Sequence, residues 1–425
     1  MPVTSSREEL RAWLRLMLEP GLGPVQARSL LAAIGLPQDI YSASLGTLNK
    51  LLPTTMAQQL RREPSDDIQD QIERSLQWLD APDRRILTLA DPEYPKTLLD
   101  TWDPPLLLFA HGDISLLSRA SLGIVGARSA TPGGLENAHA FARHLATQGW
   151  CIVSGLAQGI DTAAHTGALD AGTESGSTIA VLGTGIDIVY PAANRDLAHR
   201  IARHGLLISE FPLGTRALRW QFPKRNRLVA GLCKGILVVE AARQSGSLIT
   251  ARMAGELGRE VFAIPGSIHS PLSRGCHALI REGAKLVESG QDIHDELSRP
   301  MQGKLPLASQ GNADRVDGAQ PHTTRRKSAP HTPADGASSK GKPMQPAAAR
   351  DTPASASAQP KYQTQFEQLS EDAKTVLQAL GHDPAHPDTL QLRTGFPMAT
   401  LTAALLELEM AQAVHRLEDG QYQRT

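Results

Sequence analysis

Gly123-Ile-Val-Gly-Ala-Arg-Ser-Ala-Thr-Pro132 is the stretch whose reading decides the fold. A short apolar run ends in glycine, and Thr131 and Pro132 then stand as N-cap and first residue of a helix. Strand, glycine turn and helix in that order are the unit of a parallel α/β sheet. Outward from it the unit recurs. Apolar runs at 86–89, 106–110, 123–125, 151–153, 179–182, 206–208, 236–239 and 261–264 read as strands. Helical spacing at 135–147, 162–171, 196–203 and 248–257 places helices between the later ones. The expected fold class is therefore α/β, an extended Rossmann-like doubly wound parallel sheet over residues 81–299.

The flanks read differently. In 1–80, Leu10, Trp13, Leu14 and Met17 repeat at helical spacing, and further helices are expected over 26–34 and 68–79. Gly21-Leu-Gly23 before Gln26-Ala27-Arg28 gives this small domain a SAM/helix-hairpin-helix-like look, either a tight turn or an added phosphate contact. Residues 301–360 hold no aromatic residue, no Ile, one Val and two Leu. Such a stretch buries too little to offset its ordering entropy, so 300–362 is expected to be a disordered linker. In 363–425, Ser370 and Asp388 stand as caps of helices over 373–380 and 390–393, a third helix spans 401–409, and a hairpin flanks Glu418-Asp419-Gly420. Helices and hairpin together read as a winged helix, with protein contact its expected use because Arg416 and Arg424 are its only bases in that region.

The net charge of -1 excludes an argument from overall basicity. Cys151, Cys233 and Cys276 are odd in number and far apart, so neither a disulfide framework nor a metal site is expected. The N-terminus carries no signal-peptide pattern and no run reaches bilayer length. A soluble, cytoplasmic protein without a membrane partner is the expectation.

Four strand ends run into glycine or small hydroxyl residues: Gly126, Arg128 and Ser129; Ser154 and Gly155; Gly183; and Ser245, Gly246 and Ser247. Open α/β sheets bind ligands outside the carboxyl ends of their strands, where glycine admits a phosphate to backbone N–H groups. Such loops also serve as plain tight turns, but four at one edge read as an anion-binding edge. Neither Gly-x-Gly-x-x-Gly nor a Gly-x-x-x-x-Gly-Lys loop is complete, so no nucleotide cofactor is expected. Local charge points to a polymer instead. Residues 194–228 carry eight Lys and Arg against two acids, including Arg195, Arg219, Arg225 and Arg227, and Arg219-Trp-Gln-Phe-Pro-Lys-Arg-Asn-Arg227 interleaves bases with aromatics. That is the composition of a single-strand groove, in which cations follow the backbone and a ring such as Phe222 stacks a base. The same residues also suit a solvated basic helix with Trp220 and Phe222 in the core. Asp161 with His165, and Glu240 at a strand end, are weak catalytic constellations, and loop ordering and packing suit them better.

Gly123–Arg128, Ser154-Gly-Leu-Ala-Gln-Gly-Ile-Asp161, Ala180-Val-Leu-Gly-Thr-Gly185, Tyr190-Pro191 and Ser209-Glu-Phe-Pro212 resemble the DNA-processing protein A (DprA/Smf) family. Phe222-Pro-Lys-Arg-Asn-Arg227, Ser245-Gly-Ser-Leu-Ile-Thr250 and Pro265-Gly-Ser-Ile-His269 continue the resemblance in order. It implies a homodimer that binds and protects incoming single-stranded DNA and loads the RecA recombinase in natural transformation and homologous recombination, without being an enzyme. It also implies that Arg128 is a main phosphate ligand, that Arg219 and Phe222 hold backbone and base, and that Arg225, Arg227 and the 245–247 turn add contacts. Gln158 stands where relatives often carry a base. The alternative reading is a Rossmann-fold hydrolase of nucleoside monophosphates, using Glu240 and Asp161.

Overall fold

The computed structural model describes residues 6–172, 175–298, 369–382, 384–417 and 420–424. The expected linker at 300–362 lies outside them.

Ser6 opens α1 (Arg7–Leu18) with a reciprocal capping box to Glu9. Its apolar face, Leu10, Trp13 and Leu14, is buried among α2 (Pro24–Ile34), α3 (Pro37–Ser42), α4 (Leu45–Leu48), α5 (Thr54–Leu60) and α6 (Asp66–Trp78). The three short helices α3 to α5 were not legible from periodicity. At the α1–α2 turn the Gly23 N–H donates to Gln26 Oε1 at 3.2 Å. That donor is therefore already engaged, and the turn reads as structural.

Among the described residues one nine-stranded sheet forms the centre, in the order β1 (Arg84–Thr88), β2 (Leu107–Gly112), β6 (Leu206–Ser209), β5 (Thr178–Val181), β4 (Cys151–Ser154), β3 (Ser121–Val125), β7 (Gly235–Val238), β8 (Glu260–Ala263), β9 (Lys285–Leu286). All eight expected strands are present. The expected parallel sheet runs from β6 to β9, with an antiparallel edge where β1 pairs with β2 and β2 with β6. Apolar periodicity reports which residues are buried, not strand direction. Residues alternate between faces, with Leu107, Phe109, Ala180 and Leu207 in one core and Leu108, Ala110, Ile179 and Val181 in another. Both faces are covered, which is why these strands read as unbroken apolar runs.

Helix α7 (Lys96–Leu99) joins β1 to β2. Then α8 (Pro132–Thr147), α9 (Ile160–Leu169) and α10 (Arg195–His204) carry the chain from β3 through β4 and β5 to β6. Helix α11 (Gln221–Leu232) returns it to β7 on the other side of β3. The reversal at β3 and β7 is a topological switch point, where open α/β sheets place their crevice. Helices α12 (Gly246–Glu256), α13 (Arg274–Arg281) and α14 (Gly290–Ser298) complete this part.

The winged helix is built as expected from α15 (Glu371–Leu380), α16 (Pro387–Thr394), α17 (Met398–Met410) and the β10 (Val414–Arg416)–β11 (Tyr422–Arg424) hairpin. Ser370 caps α15, accepting from the Ala373 N–H. Asp388 does not cap α16. His386 does, because Pro387 takes the first helical position and moves the cap one residue before it. No helix among the described residues is long and apolar enough to cross a membrane.

Candidate nucleic-acid interface

The carboxyl ends of β3, β4 and β5 converge on one ring, Phe222 in the first turn of α11. Packed against it are Gly183 beyond β5, where a Cβ would stand 2.9 Å from the ring, and Tyr190, with ring centroids 5.5 Å apart. The Arg128 guanidinium lies over the ring at 5.6 Å from its centroid. Phe222 is half-buried, and Arg128 and Ser129 are exposed. Arg128, Tyr190 and Phe222, together with Gly155, Gln158 and Arg225, line a cleft of about 60 Å³. Pockets for small molecules usually measure about 300–1,000 Å³. This cleft suits one edge of a base or a phosphate better than an enclosed nucleotide.

The loop carrying Arg128 is fixed from a neighbouring strand. Glu240, just past β7, accepts from the Thr131 N–H at 2.9 Å and the Thr131 hydroxyl at 2.6 Å. Thr131 in turn caps α8, as its sequence position implied.

Arg225 departs from its expected role. It is 4% exposed, and its guanidinium donates to the carbonyls of Gly155 and Val181. It tethers the ends of β4 and β5 from below, so it serves as a buried support for the cleft and not as an exposed backbone contact. Burial pulls its pKa down to about 10, with Asp161 opposing that shift and Arg128 adding to it. Gly155 is glycine because a Cβ would stand 2.4 Å from this guanidinium. The Gly155 N–H is taken by Asp161, so Gly155 supplies room and not a phosphate donor, and the missing Cβ of Gly183 makes room for the Phe222 ring.

Three further expectations need correction. The Ser154 hydroxyl is buried and donates to the Ile124 carbonyl at 2.6 Å, which removes it from the surface. Arg227 pairs with Glu210 and with Asp103 at 3.6 Å. It lies five residues after Phe222 on α11, well round the helix from the cleft-facing positions 222 and 225. Within the 245–247 turn Ser247 is buried, while Gly246 faces open space and Ser245 caps α12. The basic excess of 194–228 also shrinks, because Arg200 pairs with Asp170 and Lys224 with Glu210. Among the described residues no carboxylate pairs with Arg128, Arg195 or Arg219, all of them exposed. Tyr190, half exposed and against Phe222, belongs to the site although composition gave no sign of it.

Asp161 and His165 do not face one another as acid and base. Asp161 accepts from the N–H groups of Gly155 and Ala157, and burial pushes its carboxyl up while Arg225 pulls it back. His165 is fully buried with Nδ1 at 2.8 Å from the Thr178 hydroxyl, and burial, with Arg225 nearby, drops its pKa to about 3. Below its ordinary value of 6.5 the unfolded chain takes a proton there that the folded chain refuses. Stability from this group is complete above pH 6.5 and falls on acidification toward 3, by up to about 1.4 kcal/mol per pH unit. His165→Gln, which retains a hydrogen-bonding partner for Thr178, is expected to flatten that limb. Urea titrations at pH 7 and pH 5 check this, and equal losses for wild type and variant would contradict it.

Comparison with known proteins agrees with this architecture. Residues 85–298 match the family described as DNA recombination-mediator protein A, and residues 348–420 match the DprA winged helix domain. DNA processing protein DprA of Streptococcus pneumoniae is 49% identical over 206 residues, covering 48% of this chain and 72% of that protein. Protein Smf of Synechocystis is 31% identical over 431 residues, covering 99% of this chain and 100% of that protein. The X-ray structure of DprA from Streptococcus pneumoniae aligns with a TM-score of 0.59 at 36% identity, covering 70% of this chain and 99% of that one. With the sheet order, the winged helix and these matches in agreement, the chain belongs to the DNA recombination-mediator protein A (DprA/Smf) family, with a role in DNA processing.

Proposed function

We propose that this chain binds single-stranded DNA along the carboxyl edge of β3 to β5 and delivers it to the RecA recombinase, as a homodimer in the cytoplasm. The observation that carries the reading is the Phe222 ring, half-buried against Gly183 and Tyr190 with the unpaired Arg128 over it. A half-buried aromatic ring with an exposed cation over it offers apolar surface to a base and charge to the adjoining phosphate. A duplex hides its base faces, so the arrangement favours the single strand. Arg195, Arg219 and the Ser245–Gly246 turn are the further backbone contacts in this reading.

Hydrolysis of nucleoside monophosphates is less well supported. Glu240 is engaged by Thr131 and Asp161 by two backbone N–H groups, and the cleft is small for a nucleotide. For the dimer, Ile268 at 75% and Leu286 at 50% exposure offer apolar surface at the β8–β9 edge. The winged helix suits a protein partner, since α17 contains no Lys or Arg while Leu406 and Met410 are exposed on it. Protection of incoming DNA in natural transformation follows from this activity where the cell takes up DNA.

Gel shifts of matched single- and double-stranded oligonucleotides at one fixed salt concentration, with and without RecA, test the proposal. Retardation of the single strand at lower protein concentration, with a slower band on adding RecA, is expected. Equal retardation of both forms overturns the strand-specific reading.

A further inference from the structure

Trp220 is the residue before α11, two positions from Phe222, and 58% of it is exposed. Its ring neighbour is Phe211, with centroids 6.2 Å apart and planes at 76°. Phe211 is itself buried and carries the Lys224 ammonium over its ring at 5.5 Å. An edge-to-face contact covers at most one face of one ring, so at least one indole face is open. Arg219, immediately before it in the chain, and Arg216, four residues back, are exposed, and among the described residues no carboxylate pairs with either. The other highly exposed tryptophan, Trp102 at 78%, borders a different cleft lined by Asp103, Glu256 and Arg227, in which the one cation is already paired with Asp103 and Glu210.

A large aromatic face left open among unpaired cations has the properties of a base-stacking platform. We propose that Trp220 is a second stacking position, so that the groove grips two unpaired bases, one at Phe222 and Tyr190 and one at Trp220, with Arg219 on the backbone. This rests on the single-strand reading above. It adds a source of single-strand selectivity, because both platforms need bases with open faces.

Indole fluorescence gives a direct test on the full chain. Oligo-dT is titrated into wild type, Trp102→Phe and Trp220→Phe while emission is followed, and affinity is measured by anisotropy of a labelled oligo-dT, including for Trp220→Ala. The strand-dependent quench is expected to persist in Trp102→Phe and to disappear largely in Trp220→Phe, which keeps more affinity than Trp220→Ala because phenylalanine still stacks. Trp220→Ala is expected to weaken binding by about 5- to 150-fold, with unchanged salt dependence and an unchanged melting temperature. An undiminished quench in Trp220→Phe, or wild-type affinity in Trp220→Ala, overturns the proposal. So does a weaker Trp220→Ala that has also lost melting temperature, since that outcome marks Trp220 as packing for Phe211. Wild type that fails to bind oligo-dT at all sinks the strand-binding reading itself, an outcome separate from the others.

Discussion

Arg225→Met is expected to lower the unfolding free energy by about 2–6 kcal/mol, the cost of leaving two buried carbonyls without their donor at about 1–3 kcal/mol each. The guanidinium is buried and binds the carbonyls of Gly155 and Val181, while Asp161 holds the N–H side of the same Gly155 loop. Methionine fills much of the volume but leaves two carbonyls without their donor and Asp161 without its balancing charge. The loop ends of β4 and β5 then lose their common tether, and strand binding is expected to fall with stability. Urea unfolding at pH 7.5 reads the first effect. Combining the change with Asp161→Asn removes the orphaned charge, so the double variant is expected to be more stable than the two single losses added together. Single-variant losses below about 1 kcal/mol would show that the buried cation is not the support described here.

Arg128→Ala and Phe222→Ala are expected to weaken oligo-dT binding through different physics. The Phe222 ring offers stacking, typically about 1–3 kcal/mol per base, which does not release counterions. Its loss shifts affinity at every salt concentration equally. Arg128 is exposed over that ring without a carboxylate partner, so its loss removes one neutralised phosphate and makes the slope of log affinity against log salt about 0.7 shallower. Binding measured from 50 to 300 mM salt separates the two signatures. Unchanged affinity in both variants would remove the assignment of this cleft.

Much of this architecture was legible because it rests on burial. The eight longer strands announce themselves by apolar residues on both faces, and Thr131-Pro132 and Ser370 place helix starts by cap chemistry. Strand β9, with two residues, is too short to carry a pattern, and β1–β2 pairing depends on chain direction, which periodicity does not encode. At the site, residue type was easier to read than residue orientation. The stretch from Arg219 to Arg227 is the opening of a helix, and helical phasing sends Arg225 inward, Arg227 to Glu210 and Phe222 to the cleft. Counting charges without that phase overstates the patch. Ser154 looked like a surface hydroxyl because it ends a strand, yet its Oγ completes a bond to the neighbouring strand.

The tie from Glu240 to Thr131 has a kinetic consequence. Because the Glu240 carboxylate, just past the adjacent strand, fastens the end of the Arg128 loop, that segment gives up conformational freedom while the protein folds, which lowers the entropy cost of the proposed strand binding. A single strand is the floppier of the two molecules, so encounter orders one polymer against a receptor already in shape. In the proposed binding, capture would then be governed by diffusion and electrostatic steering more than by loop closure.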